Sequence, residues 1–351
     1  MKEQHTSRRS LLKYGLGTMG AAALFPLGLD ACGPAPATTG SSATGGATVT
    51  LKMSSSLTVG VNSAHWVWYN KFQELLDQKT NKRIKIQYFP NNQLGQEADV
   101  IKLVKLGTVD MMISGSSIWS TFVPEFSVLD MGYIFNDLDS VGRVLDGQAG
   151  TSLSKLMADQ VQVNIIGWSY SFGARNVCTK KPVKVPSDLN GMKIRVLPVK
   201  NFVATLKLMG AVATPIAFGE VYTSLQTGVI DGLEHDFPTI LANKFYEIAK
   251  NITLTEHIYN PNITTINQQS MAKIPADLHD AFLQAAQEAT VFQRQQATST
   301  SQKAKDTLVQ NGMTIYPIDR AQFKQKVQPL WTSFTAQYPD TKPILDSILS
   351  S

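Results

Sequence analysis

The chain has 351 residues, 43% of them apolar and 17% charged, with a formal net charge of +5 at neutral pH. Four basic and two acidic residues lie in the first 31, which leaves the rest at +3. That is too mild for a nucleic-acid protein, and no Lys/Arg cluster alternates with aromatics.

The first 31 residues read as an export address. Ser7-Arg-Arg-Ser-Leu-Leu-Lys13 has the twin-arginine pattern, and a glycine-rich, weakly apolar stretch runs from Tyr14 to Leu29. That stretch is too short and too interrupted to span a membrane. Leu29-Asp-Ala-Cys32 resembles a bacterial lipobox, so Cys32 is the expected lipidation site and the expected anchor to a membrane. Residues 32–49 follow as a Gly/Ser/Thr/Pro tether that cannot bury a core. With Cys32 lipidated, Cys178 has no partner; it reads as a small buried hydrophobe, and no disulfide framework remains. The expected location is the periplasm or the extracytoplasmic face of the cytoplasmic membrane. About 300 residues remain, more than one core usually serves, so two lobes are expected.

From Val49 onward, strand and helix patterns alternate. Val49–Met53 reads as a strand, and Trp68, Phe72, Leu75 and Leu76 mark one face of a helix. Arg83–Phe89 alternates as a strand, Gln96–Leu106 reads as a helix ending at Gly107, and Val109–Ile113 as a short buried strand. Val163–Trp168 is a further strand. Met192–Leu197 is a strand, Phe202–Met209 a helix closed by Gly210, and Ala211–Ile216 a strand. Glu220–Thr227 is a helix closed by Gly228, and Val229–Glu234 a short strand. This alternation predicts βαβ units and parallel sheets. Ala276–Asn311 contains no Gly or Pro; as one helix it would reach roughly 54 Å and cross from lobe to lobe, with a bend expected at Ala297–Ser301. Two C-terminal helices are expected, with Trp331 and Phe334 packing inward.

Several motifs are decoys. Gly15-Leu-Gly-Thr-Met-Gly20 matches a nucleotide fingerprint but has no preceding strand and lies in the leader. Gly167-Trp-Ser-Tyr-Ser lacks the second glycine of a nucleophile elbow. The five histidines show no metal-ligand spacing. No cofactor is expected, and no acid–base pair appears at recognisable spacing.

Arginine is the informative residue. Eight arginines stand among 32 basic residues, two of them in the leader, so lysine builds the surface. Arg195 ends a strand pattern and Arg175 lies twenty residues before it. A planar fork binds a carboxylate by two parallel, charge-assisted hydrogen bonds, which a lysine cannot do. Arg195 therefore reads either as a carboxylate anchor or as a structural salt bridge, and Arg175 as a second contact or a hinge ion pair. Trp168 and Phe218 read as pocket walls or ordinary core, and Glu234, His235 and Asp236 as a site loop or a solvated one.

The chain resembles the solute receptors of tripartite ATP-independent periplasmic (TRAP) transporters. The resemblance rests on Phe89-Pro-Asn-Asn-Gln-Leu-Gly95, Leu106-Gly-Thr-Val-Asp-Met111, Val123-Pro-Glu-Phe126, Gly191-Met-Lys-Ile-Arg-Val196, Thr214 through Gly232, and Lys244-Phe-Tyr-Glu247. It implies an α/β fold of two lobes of periplasmic-binding-protein type, with hinge strands and a long helix spanning both. Lobe I is expected to take residues 50–172 and 261–300, and lobe II residues 173–260 and 301–351. The resemblance also implies a non-enzymatic receptor for a small organic acid anion, with two integral membrane permease subunits as partners. Arg195 becomes the main anchor, Arg175 an assisting arginine, and Phe218 an aromatic packed on the ligand. Ser114 and Ser116 become polar contacts from the other lobe, and His235 and Glu234 replace the family's usual residues, with Glu234 a metal candidate. The alternatives are a receptor for an ATP-driven importer or sensor kinase, and an exported enzyme acting on an organic acid.

Overall fold

The computed structural model describes residues 48–351. The expected export signal (1–31), the lipidation site Cys32 and nearly all of the expected tether (32–49) lie outside the described residues. Val49–Ser55 forms β1, Ala64–Lys79 α1, Ile84–Phe89 β2, Glu97–Lys105 α2 and Met111–Gly115 β3. Two 3-10 turns, Ser116–Thr121 and Pro124–Asp130, precede α3 (Leu138–Leu145) and α4 (Gln148–Val161). Next come β4 (Val163–Tyr170), β5 (Arg175–Thr179), β6 (Lys193–Val196), α5 (Lys200–Met209), β7 (Val212–Pro215), α6 (Val221–Gln226), β8 (Gly232–His235) and α7 (Phe237–Ala242). The chain closes with β9 (Asn251–Ile258), β10 (Pro261–Asn267), α8 (Gln268–Met271), α9 (His279–Gln310), β11 (Thr314–Tyr316), α10 (Arg320–Val327), α11 (Pro329–Gln337) and α12 (Lys342–Leu349).

Two sheets build two lobes. The first has the order β2-β1-β3-β10-β4 and the second β11-β9-β5-β8-β6-β7. The chain crosses between them three times: from β4 to β5 through Ser171–Ala174, from β9 to β10 through Tyr259 and Asn260, and from β10 to β11 along α9. At 1.5 Å per residue, the 32 residues of α9 run about 48 Å. This helix packs on α1 and β4 of the first lobe and on α7 of the second. It stays helical through Ala297–Ser301. Buried alanines on α9, Ala285, Ala286 and Ala289, let α1 approach closely and join its Trp68 and Phe72.

The sheets are mixed, which corrects the expectation of parallel ones. β10 runs antiparallel to β3 and β4, and β5 antiparallel to β8 and β9. The cause is the two direct crossovers. A strand that enters a lobe by a short hinge arrives from the opposite end to one delivered by a helix. Three helices, not two, follow β11. The last, α12, buries Ile344, Leu345 and Ile348 and lies on α3 and α4. Phe334 is buried and Trp331 half-buried, its indole N–H donating to the Gly132 carbonyl.

Each sheet has its own apolar layer, around Leu51, Trp68 and Phe282 in the first lobe and around Cys178, Leu225 and Ile252 in the second. The largest cluster runs continuously from Val100 through Val163 and Val177 to Ile194 and Phe202, so it joins the lobes. Cys178 is buried, and burial pushes its thiol pKa up.

The first crossover is clamped to the long helix. Gln293, fully buried on α9, accepts from the Tyr170 N–H at 3.1 Å and donates to the Tyr170 carbonyl at 2.7 Å. Gln293→Leu keeps the volume and strands the N–H, since Asn262 still serves only the carbonyl. Urea unfolding should show a loss of about 1–3 kcal/mol; an unchanged midpoint would mean that the clamp carries no stability.

Candidate functional site

Between the lobes lies a small cavity of about 40 Å³. Larger hollows exist, including one of about 340 Å³ beside α9. Chemistry, not size, singles out the smaller one. Its walls come from the carboxyl ends of β1, β3 and β6, from the starts of α1 and α2, and from both direct crossovers. In open α/β sheets the crevice beyond the carboxyl ends of the strands is where ligands bind.

Arg195 is the third residue of β6, which lies inside the second sheet between β8 and β7. Alternation along the strand sends Ile194 and Val196 into the shared core and Arg195 to the opposite face. The side chain is fully buried. Its Nε donates to the Ile216 carbonyl at 2.8 Å, and the Phe218 ring lies 5.8 Å from the guanidinium carbon. Nη1 and Nη2 are buried and have no hydrogen-bond partner. Burial lowers the Arg195 pKa to about 10, against the pull of Glu234 and Glu97, so the group stays charged at neutral pH. The salt-bridge reading of Arg195 is therefore not what the geometry shows.

Arg175 opens β5 and has the opposite fate. Its Nε and Nη2 pair with both carboxylate oxygens of Glu234, and Nη2 also donates to the Glu234 backbone carbonyl at 2.9 Å. The β5–β8 pairing sets Val177 opposite Glu234 and so brings the two together. A β-bulge against β9, with Glu256 at φ 40°, shifts the register between Arg175 and Val177. Only Nη1 of Arg175 remains, 3.4 Å from His235 Nε2. His235 lines the cavity edge-on to Phe218 and sits 3.0 Å from the Asp236 carboxylate. Burial and the Arg175 charge hold its imidazole below the ordinary range, so it is neutral. Asp236 also caps α7, accepting from the Thr239 N–H at 2.9 Å.

The facing wall is polar and was not read from the sequence. Glu97, the first residue of α2, accepts from Ser56 at 3.0 Å. Burial pushes its carboxyl above the usual range, while Ser56, Arg195 and Arg175 pull it down. His65 contacts Ser55 at 2.9 Å and is depressed to about 3 by burial. Asn260 and Asn262 come from the second crossover and β10. An acid at the first position of a helix has an ordinary reading, as a partner of the helix dipole, so nothing local marks Glu97 as a site residue.

Of the residues singled out from sequence, the cavity brings together Arg195, Arg175, Phe218 and His235. Four others are placed elsewhere, as corrections. Glu234 is fully buried behind Arg175, with His257 Nε2 3.5 Å away. It belongs to the ion pair and does not line the cavity. Both its carboxylate oxygens are paired with Arg175, and no group of three or more His, Cys, Asp or Glu suited to a metal occurs among the described residues. Trp168 stacks on Phe126 and donates to Ser154, out of reach of the cavity. Ser114 accepts from the Trp119 indole, and Ser116 is fully buried beside Asn260; only Gly115 between them reaches the wall.

Asn260 links the cavity to a buried acid. Its amide donates to Ser117 at 2.6 Å, and Ser117 donates to Asp130 at 2.6 Å. The other Asp130 oxygen is unpaired, and burial pushes this carboxyl up to about 8.

The profile of "Bacterial extracellular solute-binding protein, family 7" matches residues 60–337. A solute-binding protein of Roseobacter denitrificans is 34% identical over 80% of this chain and 85% of its own. The 2,3-diketo-L-gulonate-binding periplasmic protein of Escherichia coli is 31% identical over 79% of this chain and 86% of its own. A crystal structure of a TRAP periplasmic solute-binding protein from Citrobacter koseri with bound D-glucuronate superposes with a TM-score of 0.80 at 30% identity, covering 86% of this chain and 98% of that one.

Two predictions follow from the buried charges. Glu234→Gln strands the Arg175 guanidinium and should cost roughly 3–5 kcal/mol by urea unfolding; a loss under 1 kcal/mol would show the pair to be dispensable. Asp130 is protonated when folded but ionises near 3.8 when unfolded, so its contribution is full below that pH and is lost as pH rises towards about 8. Asp130→Asn should therefore unfold at higher temperature than wild type at pH 8, with the gap closing below pH 4. A gap that does not depend on pH would refute the buried-acid assignment. The sequence match, the two-lobed fold and the cavity between the lobes agree that the chain belongs to the family 7 bacterial extracellular solute-binding proteins, the substrate-binding proteins of TRAP transporters.

Proposed function

We propose that the protein is an extracytoplasmic receptor that grips the carboxylate of a small organic acid anion with Arg195 and delivers it to a TRAP-type secondary transporter. One observation carries this reading: two buried guanidinium nitrogens with no partner, at the wall of a cavity between two lobes. A buried cation lacking its hydrogen bonds is costly, and a carboxylate supplies two in matching geometry. Phe218 gives the anion's carbon skeleton an apolar surface beside that grip. Arg175 acts differently from a second grip. Its fork is spent on Glu234, so it braces His235 and lends the site positive charge.

Relatives of this chain carry names that point to acid sugars, 2,3-diketo-L-gulonate in one and D-glucuronate in another. The reading extends that class to this protein. The cavity walls come from both lobes, and the Arg195 nitrogens at its end are buried. Entry therefore needs the lobes, 50–172 with 261–300 and 173–260 with 301–351, to part about the crossovers at Ser171–Ala174 and Tyr259–Asn260. α12 is the exception within 301–351: it packs on α3 and α4 and so goes with the first lobe. Ligand then favours the closed form by its differential affinity for it. The leader 1–31 and lipidated Cys32 would carry the protein across the cytoplasmic membrane and hold it there, beside its permease subunits.

Calorimetry with D-glucuronate, D-gluconate and D-erythronate tests the anchor. Arg195→Lys keeps the charge and loses the fork, and should weaken binding on the order of a hundredfold, with circular dichroism unchanged. Unaltered affinity in that variant would remove Arg195 from the site.

A further inference from the structure

Resting on the reading that the lobes part to admit a ligand, we infer that Gly219 is a positioning residue for closure. Lacking a side chain, it lets the second lobe seat against the amides of Asn92 and Gln96 on the first. No residue of Phe89–Gln96 lines the cavity that holds Arg195. Asn91 and Asn92 both stand in left-handed backbone, at φ 53° and 56°, a region that asparagine visits more readily than most residues. Their N–H groups donate to the Leu57 and Ser55 carbonyls at 3.1 Å each, and the Gly95 N–H closes the turn on the Asn92 carbonyl at 2.9 Å. The turn is thus tied to the end of β1, where Ser56 and Leu57 line the cavity. Gln96 follows; its carbonyl accepts from Val100 as α2 begins, and its side chain makes no cap.

Gly219 meets this turn from the second lobe. It is the middle residue of the 3-10 turn Phe218–Glu220, which follows β7. A Cβ built there would stand 2.9 Å from Gln96 Nε2 and 3.2 Å from Asn92 Nδ2. The three atoms nearest to it all belong to those two amide groups. The backbone itself does not ask for glycine. Gly219 has no positive φ, whereas Gly210 and Gly228, which follow α5 and α6, do. The constraint therefore comes from across the cleft. Phe218 and Ser56 line the Arg195 cavity on one side and a hollow of about 200 Å³ on the other, so the contact at Gly219 lies between two gaps. A side chain at this position has room when the lobes part and overlaps Gln96 and Asn92 when they meet. Ligand drives closure only by its better binding to the closed form, and such an overlap opposes it directly.

Gly219→Leu carries the test. Calorimetry with the tightest binder among D-glucuronate, D-gluconate and D-erythronate should find this variant at least about tenfold weaker than wild type, as an overpacked contact requires. The melting temperature of the ligand-free protein should not change. Nitroxides on Lys102→Cys and Val229→Cys, both exposed and one on each lobe, report the opening by pulsed electron resonance in a Cys32→Ser background; Cys178 is buried and stays unlabelled. With saturating acid, wild type should move to a closed distance, and Gly219→Leu should keep a fraction at the ligand-free distance. Removing the facing amides, by Gln96→Ala and Asn92→Gly in the Gly219→Leu chain, should recover most of the lost affinity. Should Gly219→Leu fail to fold, Gln96→Phe enlarges the same contact from the first lobe and must weaken binding likewise. Wild-type affinity in Gly219→Leu overturns the inference, and so does a loss that removing the amides does not recover; the receptor reading survives both. A wild type that binds without any change in distance shows that the lobes do not close, and the inference falls while Arg195→Lys still tests the anchor. A wild type that binds none of these acids removes the receptor reading and the inference together.

Discussion

Two guanidinium groups stand at one cavity, and the protein completes only one of them. Arg175 is matched oxygen for nitrogen by Glu234. Arg195 receives one backbone carbonyl and lies over the Phe218 ring, with its two terminal nitrogens buried and without a hydrogen-bond partner. Burying a cation without its hydrogen bonds opposes folding, and the rest of the molecule has to hold it there. The restraint has a use. Donors fixed in place before a ligand arrives need no rearrangement when it does, and a low local dielectric strengthens what they then hold.

The fold supplies the restraint from several directions. β6 is an interior strand, so its backbone cannot drift, and its even residues are locked into the core that joins the lobes. The Arg175–Glu234 pair braces the neighbouring strands β5 and β8 and fixes His235 beside the cavity. The facing wall is set by the starts of two helices and by the second crossover. Asn260 belongs to both wall and crossover, and through Ser117 it reaches the buried acid Asp130. Whatever touches Asn260 thus touches the hinge as well. Gly115 beside it is constrained for the same reason: a Cβ there would come within 2.6 Å of the Asn260 amide oxygen.

Much of the architecture was legible because half-buried strands and amphipathic helices leave periodic traces. β1, β2, α1, α2 and α5 could be read that way, as could the long glycine- and proline-free helix. β5, β9 and β10 left no such trace. β10 is buried at every position yet carries Asn262, Thr264, Thr265 and Asn267, and β9 carries Thr253, Thr255 and His257. Their hydrogen bonds, not apolar alternation, make these strands internal. At the site, scarcity of arginine pointed to Arg195 and Arg175 together, and nothing local separates them. The distinction is made by Glu234, 59 residues beyond Arg175, which only strand pairing brings near. Ser114 failed for a related reason: its neighbour Gly115 lines the cavity, and the alternation of β3 turns Ser114 away from it.

The most direct test of this picture is a crystal structure of the protein with a sugar acid bound. The ligand's carboxylate oxygens should lie about 2.7–2.9 Å from Nη1 and Nη2 of Arg195, with Arg175 still paired to Glu234. A carboxylate seated instead on Arg175, with Glu234 displaced and the Arg195 nitrogens still bare, would contradict it.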